Sequence, residues 1–190
     1  LPDSELRSYL DLVAIAIAAD IVPMVDENRI LTFLGLKQLK EHPRPGLTLF
    51  LKDLKHSLNV TDLIFVIAPR INAAGRMNQG LNAVELLMST RNESAFPIAR
   101  SIEFFNTERK TTEERITKEA LQQIKLNQET QNNSSVVFHP SWHKGVIGIV
   151  ASRLIEHYYR PTVVLTKSED VISGSVLSLI HISEPTRQSP

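Results

Sequence analysis

Residues 94–127 keep one helical period without a break, and this stretch limits the folds open to the chain more than any other. Ile98, Ile102, Phe105, Ile116, Ala120 and Ile124 fall mostly four residues apart, while Glu and Lys or Arg alternate elsewhere along it. Apolar residues three or four apart share one side of an α-helix. The spacing predicts a single, highly charged helix of roughly thirty residues, extending on the order of 45 Å. Its charges read as a solvated face carrying i,i+4 pairs.

The rest of the chain is shorter in period. Residues 4–19 are alanine-rich with Leu6, Leu10, Val13 and Ile17 at helical spacing; Asp20 follows, and Pro23 ends the pattern. Residues 26–29 read as a turn, 30–39 as a further helix, and His42–Gly46 (HPRPG) as a clear break. Residues 47–55 and 60–67 carry the next elements, and 81–89 form a short helix. The polar run NQETQNNSS (127–135) reads as a linker, after which 136–175 alternates strand, helix, strand (163–166) and a final turn. With 190 residues there is room for one domain or two small ones, and an apolar fraction of 42% is ample for a core. The chain has no cysteine, which excludes disulfides and thiolate metal sites and fits a reducing cytoplasm. Its longest apolar stretch, residues 12–21, is too short and too interrupted by Asp20 to span a bilayer. The 21 basic and 21 acidic side chains cancel. Composition therefore does not point to nucleic acid, and any attraction for phosphate has to be local.

Two segments carry such local chemistry. PRINAAGRM (69–77) follows an apolar run and reads as a turn. Arg70 and Arg76 bring permanently charged forks suited to phosphate oxygens, and Asn72 an amide that donates and accepts. Ala73, Ala74 and Gly75 leave room for another backbone. The same residues would equally serve a plain strand–turn–helix connection with two solvated arginines. In the second segment, HPSWHKGVIGIVASR (139–153), Gly145 and Gly148 open a helical pattern behind His143 and Lys144. Unpaired N–H groups and the positive dipole end of such a helix suit an anion, although two spaced glycines also serve close helix–sheet packing.

PRINAAGRM, the upstream DLVAIAIAADIVPMVDENR (11–29) and the downstream WHKGVIGIVASRL (142–154) together resemble three successive signatures of the RecJ family, in the DHH phosphoesterase superfamily. The match runs in order from about residue 1 to about 175. The resemblance implies an α/β fold: the C-terminal part of a DHH-type α/β domain (1–93), a connecting helix and linker (94–134), and the first part of a smaller DHH-associated α/β domain (135–176). It implies hydrolysis of phosphodiesters in single-stranded DNA, 5′ to 3′, in recombination and repair, with manganese or magnesium and in the cytoplasm. It places a metal-ligand motif at AADIVP and so makes Asp20 the catalytic and metal-binding residue. A carboxylate at the C-terminal end of a buried helix is unfavourable unless a cation is near; the alternative is an Asp that terminates a helix and bonds to a turn. Asp11 is expected to be structural or to support the ligand.

The resemblance carries Arg70, Asn72, Arg76, His143, Gly145, Gly148, Ser152, Arg153, Gly174 and Ser175 to the DNA-facing surface. Arg153 could equally pair with Glu156, and Ser152 could be a packing residue. Gly174–Ser175 would begin a phosphate-binding turn, and Trp142 is expected to be packed rather than to stack on a base. The family's other metal motifs, Asp-His-His among them, are expected before Leu1, so that the chain is a piece of a longer protein and inactive by itself. LSLIHISEPTR (177–187) resembles the translation of a sequencing-library adapter, so 177–190 are expected to form no sheet and pack on nothing. Two other functions stay open: a phosphodiesterase on short oligonucleotides or cyclic dinucleotides, and a non-catalytic DNA-binding scaffold. Partner proteins, such as a single-strand-binding protein, are left undetermined.

Overall fold

The computed structural model describes residues 3–52, 54–77 and 80–179. The chain forms two compact units, Leu1–Asn106 and Thr107–Pro190, that divide within its longest helix.

The described part of the first unit is helical: α1 (Asp3–Arg7), α2 (Leu10–Ala19), α3 (Asp26–Glu41), α4 (Pro45–Leu51), α5 (Val60–Asp62), α6 (Ala68–Arg76), α7 (Gly80–Met88) and the start of α8 (Asn92–Leu126). The helix expected over residues 4–19 is broken at Ser8 and Tyr9. There the Ser8 amide and hydroxyl both donate to the Glu5 carbonyl, at 3.1 and 2.7 Å, closing a tight turn that competes with the helical ladder. Residues 26–29, expected as a turn, are instead the first turn of α3, where Asp26 and Glu27 meet the positive dipole end. α2 and α3 press together at Gly35, where a Cβ would collide with the Leu10 carbonyl and the Ala14 Cβ. Asp11 is buried and receives Arg44 Nη2 at 3.1 Å, while the same guanidinium reaches the Ser8 carbonyl at 2.9 Å. Asp11 is thus structural, as expected, and it fixes the helix that ends at Asp20.

The largest departure from expectation lies at PRINAAGRM. Residues 60–76 form one helical run, so the motif sits on α6 rather than on a turn. The run widens into π-helix at Leu63–Ile67, where the Ala68 amide donates to the carbonyl of Leu63, five residues back. Pro69 cannot supply the next α-helical donor, and the wide turn ends just before it. Ala73 and Ala74 are buried, which is why small residues stand there. Leu39, Leu47, Leu63, Ile67 and Leu86 form the core, joined by Ala95, Ala99 and Ile102 of α8.

In the second unit, α8 ends at Leu126 and a 3₁₀ turn at Glu129–Gln131 leads into β1 (Ser135–Phe138), α9 (Ile147–Tyr158), β2 (Thr162–Ser168) and β3 (Val171–Leu177). The sheet order is β1-β2-β3, β1 parallel and β3 antiparallel to β2, with Val136, Val163 and Val176 in one cross-strand row. Ile116, Ala120 and Ile124 of α8 pack with Val137, Val150, Leu154 and Val164. Arg160, buried, pins the polar linker: it donates to the carbonyls of Thr130 (2.9 Å) and Asn132 (2.7 Å) and to the Ser135 hydroxyl (2.7 Å). Gly174 and Ser175 lie inside β3 rather than in a turn, because each continues the ladder opposite Leu165 and Val164. Leu177, expected outside any sheet, pairs with Thr162 and packs on the core. The remainder of the adapter-like stretch, from residue 180, lies outside the described residues. Among the described residues no helix is long and apolar enough to cross a membrane.

Candidate nucleic-acid interface

At 100° per residue, Asn72 and Arg76 share one side of α6 and Arg70 lies on another. Asn72, Gly75 and Arg76 are exposed. A Cβ on Gly75 would meet nothing within 4 Å. Packing among the described residues of its unit therefore gives no reason for glycine there. Arg70 is held from three sides: its Nε pairs with Glu103 of α8, its Nη1 donates to the Val66 carbonyl at 2.7 Å, and its guanidinium lies 5.5 Å from the Phe50 ring centre. Of the two forks read from the sequence, Arg76 is exposed and Arg70 is fixed by contacts within its unit.

Asp20 caps the C-terminal end of α2 and is exposed, its amide donating to Ala16 and Ala18. Ile21 beside it has φ of 53°, a left-handed conformation that β-branched residues rarely adopt and that costs roughly 1–2 kcal/mol. Among the described residues no three His, Asp or Glu side chains converge as a metal set. Asp20 alone therefore does not make a metal centre in this chain.

In the second unit the Gly145 amide donates to His143 Nδ1 at 3.1 Å, which puts the proton of the neutral ring on Nε2 and leaves a donor there. Gly148 occupies the first turn of α9, and a Cβ on it would sit 3.4 Å from Ser175 Oγ. The fold thereby brings Gly148 of the helix and Ser175 of β3 together beside the positive end of α9. The Ser152 hydroxyl donates to the Gly148 carbonyl at 3.4 Å and is exposed, so it is not a packing residue. Gly174 has a packing reason of its own: a Cβ would collide with the Leu165 side chain and come within 3.0 Å of the Val164 carbonyl.

Arg153 points elsewhere. Its Nε donates to Glu113 Oε1 at 3.0 Å and its Nη1 to Glu156 Oε2 at 3.2 Å. The hydrogen bond to Glu113, with Glu156 adding to it, raises the guanidinium pKa further above its ordinary value. Glu113 is buried and also takes Arg109 Nη1 at 2.9 Å. Arg109, Glu113 and Arg153 line a groove of about 600 Å³ with Lys110, Thr117 and Lys118. Trp142 is buried, as expected, with Nε1 donating to Glu119 Oε2 at 2.8 Å. That bond, and then Arg115, hold the Glu119 carboxyl below its ordinary pKa against the opposing effect of burial. Glu103 and Glu113, the acids that fix Arg70 and Arg153, were not legible from sequence because they lie 33 and 40 residues from their partners.

No family model matches the chain. It is 38% identical over 185 residues to the single-stranded-DNA-specific exonuclease RecJ of Bacillus subtilis, covering 94% of this chain and 23% of that protein. It is 34% identical over 182 residues to that of Escherichia coli, covering 92% and 32%. The crystal structure of Thermus thermophilus RecJ in complex with Mg²⁺ superposes with a TM-score of 0.79 at 30% identity, over 91% of this chain and 27% of that one. The chain belongs to the RecJ family. Exonuclease RecJ bound to manganese gives a TM-score of 0.80 at 31% identity, over 91% of this chain and 43% of that one. The chain spans between 23% and 34% of the length of the curated RecJ proteins it matches. Its mixed helix and sheet architecture agrees with the RecJ structures.

Proposed function

We propose that the protein to which this chain belongs is a metal-dependent exonuclease that hydrolyses phosphodiester bonds of single-stranded DNA from the 5′ end, in recombination and repair. The observation that carries the reading is the 38% identity over 185 residues to a single-stranded-DNA-specific exonuclease. In this reading residues 1–93 belong to the catalytic domain, 94–134 connect, and 135–176 begin the substrate-binding domain. Arg76 and Asn72 hold backbone phosphate on the exposed side of α6, and Gly75 lets the strand approach. His143, Gly148 and Ser175 offer an N–H, a backbone amide and a hydroxyl at the start of α9, and Gly145 fixes the His143 ring among them. Ser152 flanks that site, Gly174 shapes the strand beside it, and Arg153 serves the DNA strand from the neighbouring groove.

Asp20 is the residue of this chain suited to a divalent metal, Mn²⁺ or Mg²⁺. The strained Ile21 beside it agrees with that role, since backbone strain persists where the surroundings demand a fixed geometry. Such a metal would supply activation of water at neutral pH, with its remaining ligands coming from outside the described residues. The protein acts in this reading in the cytoplasm.

The test uses the full-length protein with manganese on end-labelled single-stranded DNA, blunt duplex and a cyclic dinucleotide. Degradation of the single strand with the duplex spared is the expected result. Hydrolysis of the cyclic dinucleotide alone, or DNA binding without cleavage, would overturn it.

A further inference from the structure

Arg70 of the PRINAAGRM segment is held by a carboxylate from another element, and that carboxylate lies outside every motif the sequence displays. Glu103 sits on α8, half-exposed, and takes Arg70 Nε; the Val66 carbonyl takes Nη1, and the Phe50 ring covers the plane. With these contacts the guanidinium loses most of its rotational freedom before any ligand arrives, and Nη2 is left without a hydrogen bond to the described chain. A fork fixed in this way recognises phosphate with less entropy left to lose.

We propose that Glu103 is a positioning residue for nucleic-acid binding: it orients Arg70 toward a backbone phosphate of the bound strand. The proposal rests on the proposed function and on the DNA-facing place that the family resemblance gives Arg70. It makes a prediction of unusual sign. An acid that merely stands near a phosphate track repels it, so its removal tightens binding. An acid that orients the arginine weakens binding when removed.

The experiment measures binding of a labelled oligothymidylate to the full-length protein in EDTA, so that no cleavage intervenes. Glu103→Ala should weaken binding roughly three- to tenfold, the range for releasing one preorganised, rotamer-rich side chain. Glu103→Gln should recover most of the loss, because its amide oxygen still accepts from Nε. In an Arg70→Ala background Glu103→Ala should have no further effect. Tighter binding by Glu103→Ala, or an equal loss in the Arg70→Ala background, overturns the proposal. If Arg70→Ala itself leaves binding unchanged, the DNA-contact reading of Arg70 fails, and the proposal with it. The pairing is read separately from exchange of the Arg70 Nε–H by nuclear magnetic resonance: protection that survives Glu103→Ala also overturns it.

Discussion

Arg76 and Asp20 have separable tasks in the proposed reaction, and single substitutions distinguish them. If Arg76 holds a phosphate, Arg76→Ala in the full-length protein weakens single-strand binding by about 1–3 kcal/mol. It also makes the salt dependence less steep by roughly 0.7 of a unit. A structural Arg76 would lower the melting temperature and leave the slope alone. Asp20→Ala should abolish cleavage and keep binding; full activity in that variant would end the metal assignment. Trp142 offers a stability test in the second unit. Trp142→Phe removes the hydrogen bond to Glu119, whose side chain is 40% exposed, and should destabilise by about 1–2 kcal/mol, toward the low end for a charged acceptor that water can reach. Because the folded-state pKa of Glu119 is depressed, this contribution is present above the ordinary carboxylate range and fades as pH falls through the folded value. The gap between wild type and Trp142→Phe in denaturant unfolding should therefore be full at neutral pH and narrow once the pH falls below the ordinary carboxylate range. A gap independent of pH would contradict the role given to Glu119.

Among the elements, the segment that joins α2 to α3 stores strain at Ile21, with φ of 53°. Replacing Ile21 by glycine relieves roughly 1–2 kcal/mol of left-handed strain and adds about 0.5–1 kcal/mol of unfolded-chain entropy. The net expectation is a stabilisation on the order of 0.5 kcal/mol, whereas alanine keeps the strain and gains nothing. Thermal melts of the two variants decide, and glycine less stable than alanine would mean that Ile21 is held by contacts rather than strained. In α8 the apolar period was legible because Ile98 and Ile102 in one unit and Ile116, Ala120 and Ile124 in the other recur at helical spacing and pack on their cores. The helical state of PRINAAGRM was not legible. Pro69 and Gly75 are residues that punctuate helices, and only the π turn before Pro69 and the packing of Ala73 and Ala74 on the core outweigh them.

At the scale of the molecule, one carboxylate of this chain is a candidate metal ligand, and the described residues form no metal set. The 190-residue chain by itself should therefore not degrade single-stranded DNA in manganese, whereas the full-length protein should. Manganese-dependent cleavage by the purified chain, lost in Asp20→Ala, would mean that it completes a metal centre by some other means.

The sequence by itself determined the family, the long helix and the order of the motifs, because each is written in residues close together along the chain. The same is true of Trp142 as a packed residue, legible from the apolar run beside it. Only the tertiary structure decided what holds Arg70 and Arg153. Arg70 turns toward Glu103 and Phe50, Arg153 toward Glu113, and Gly148 meets Ser175 across a helix–strand contact. Such pairings join residues that local periodicity cannot relate, since their separation is set by how elements pack and not by the repeat of any one of them.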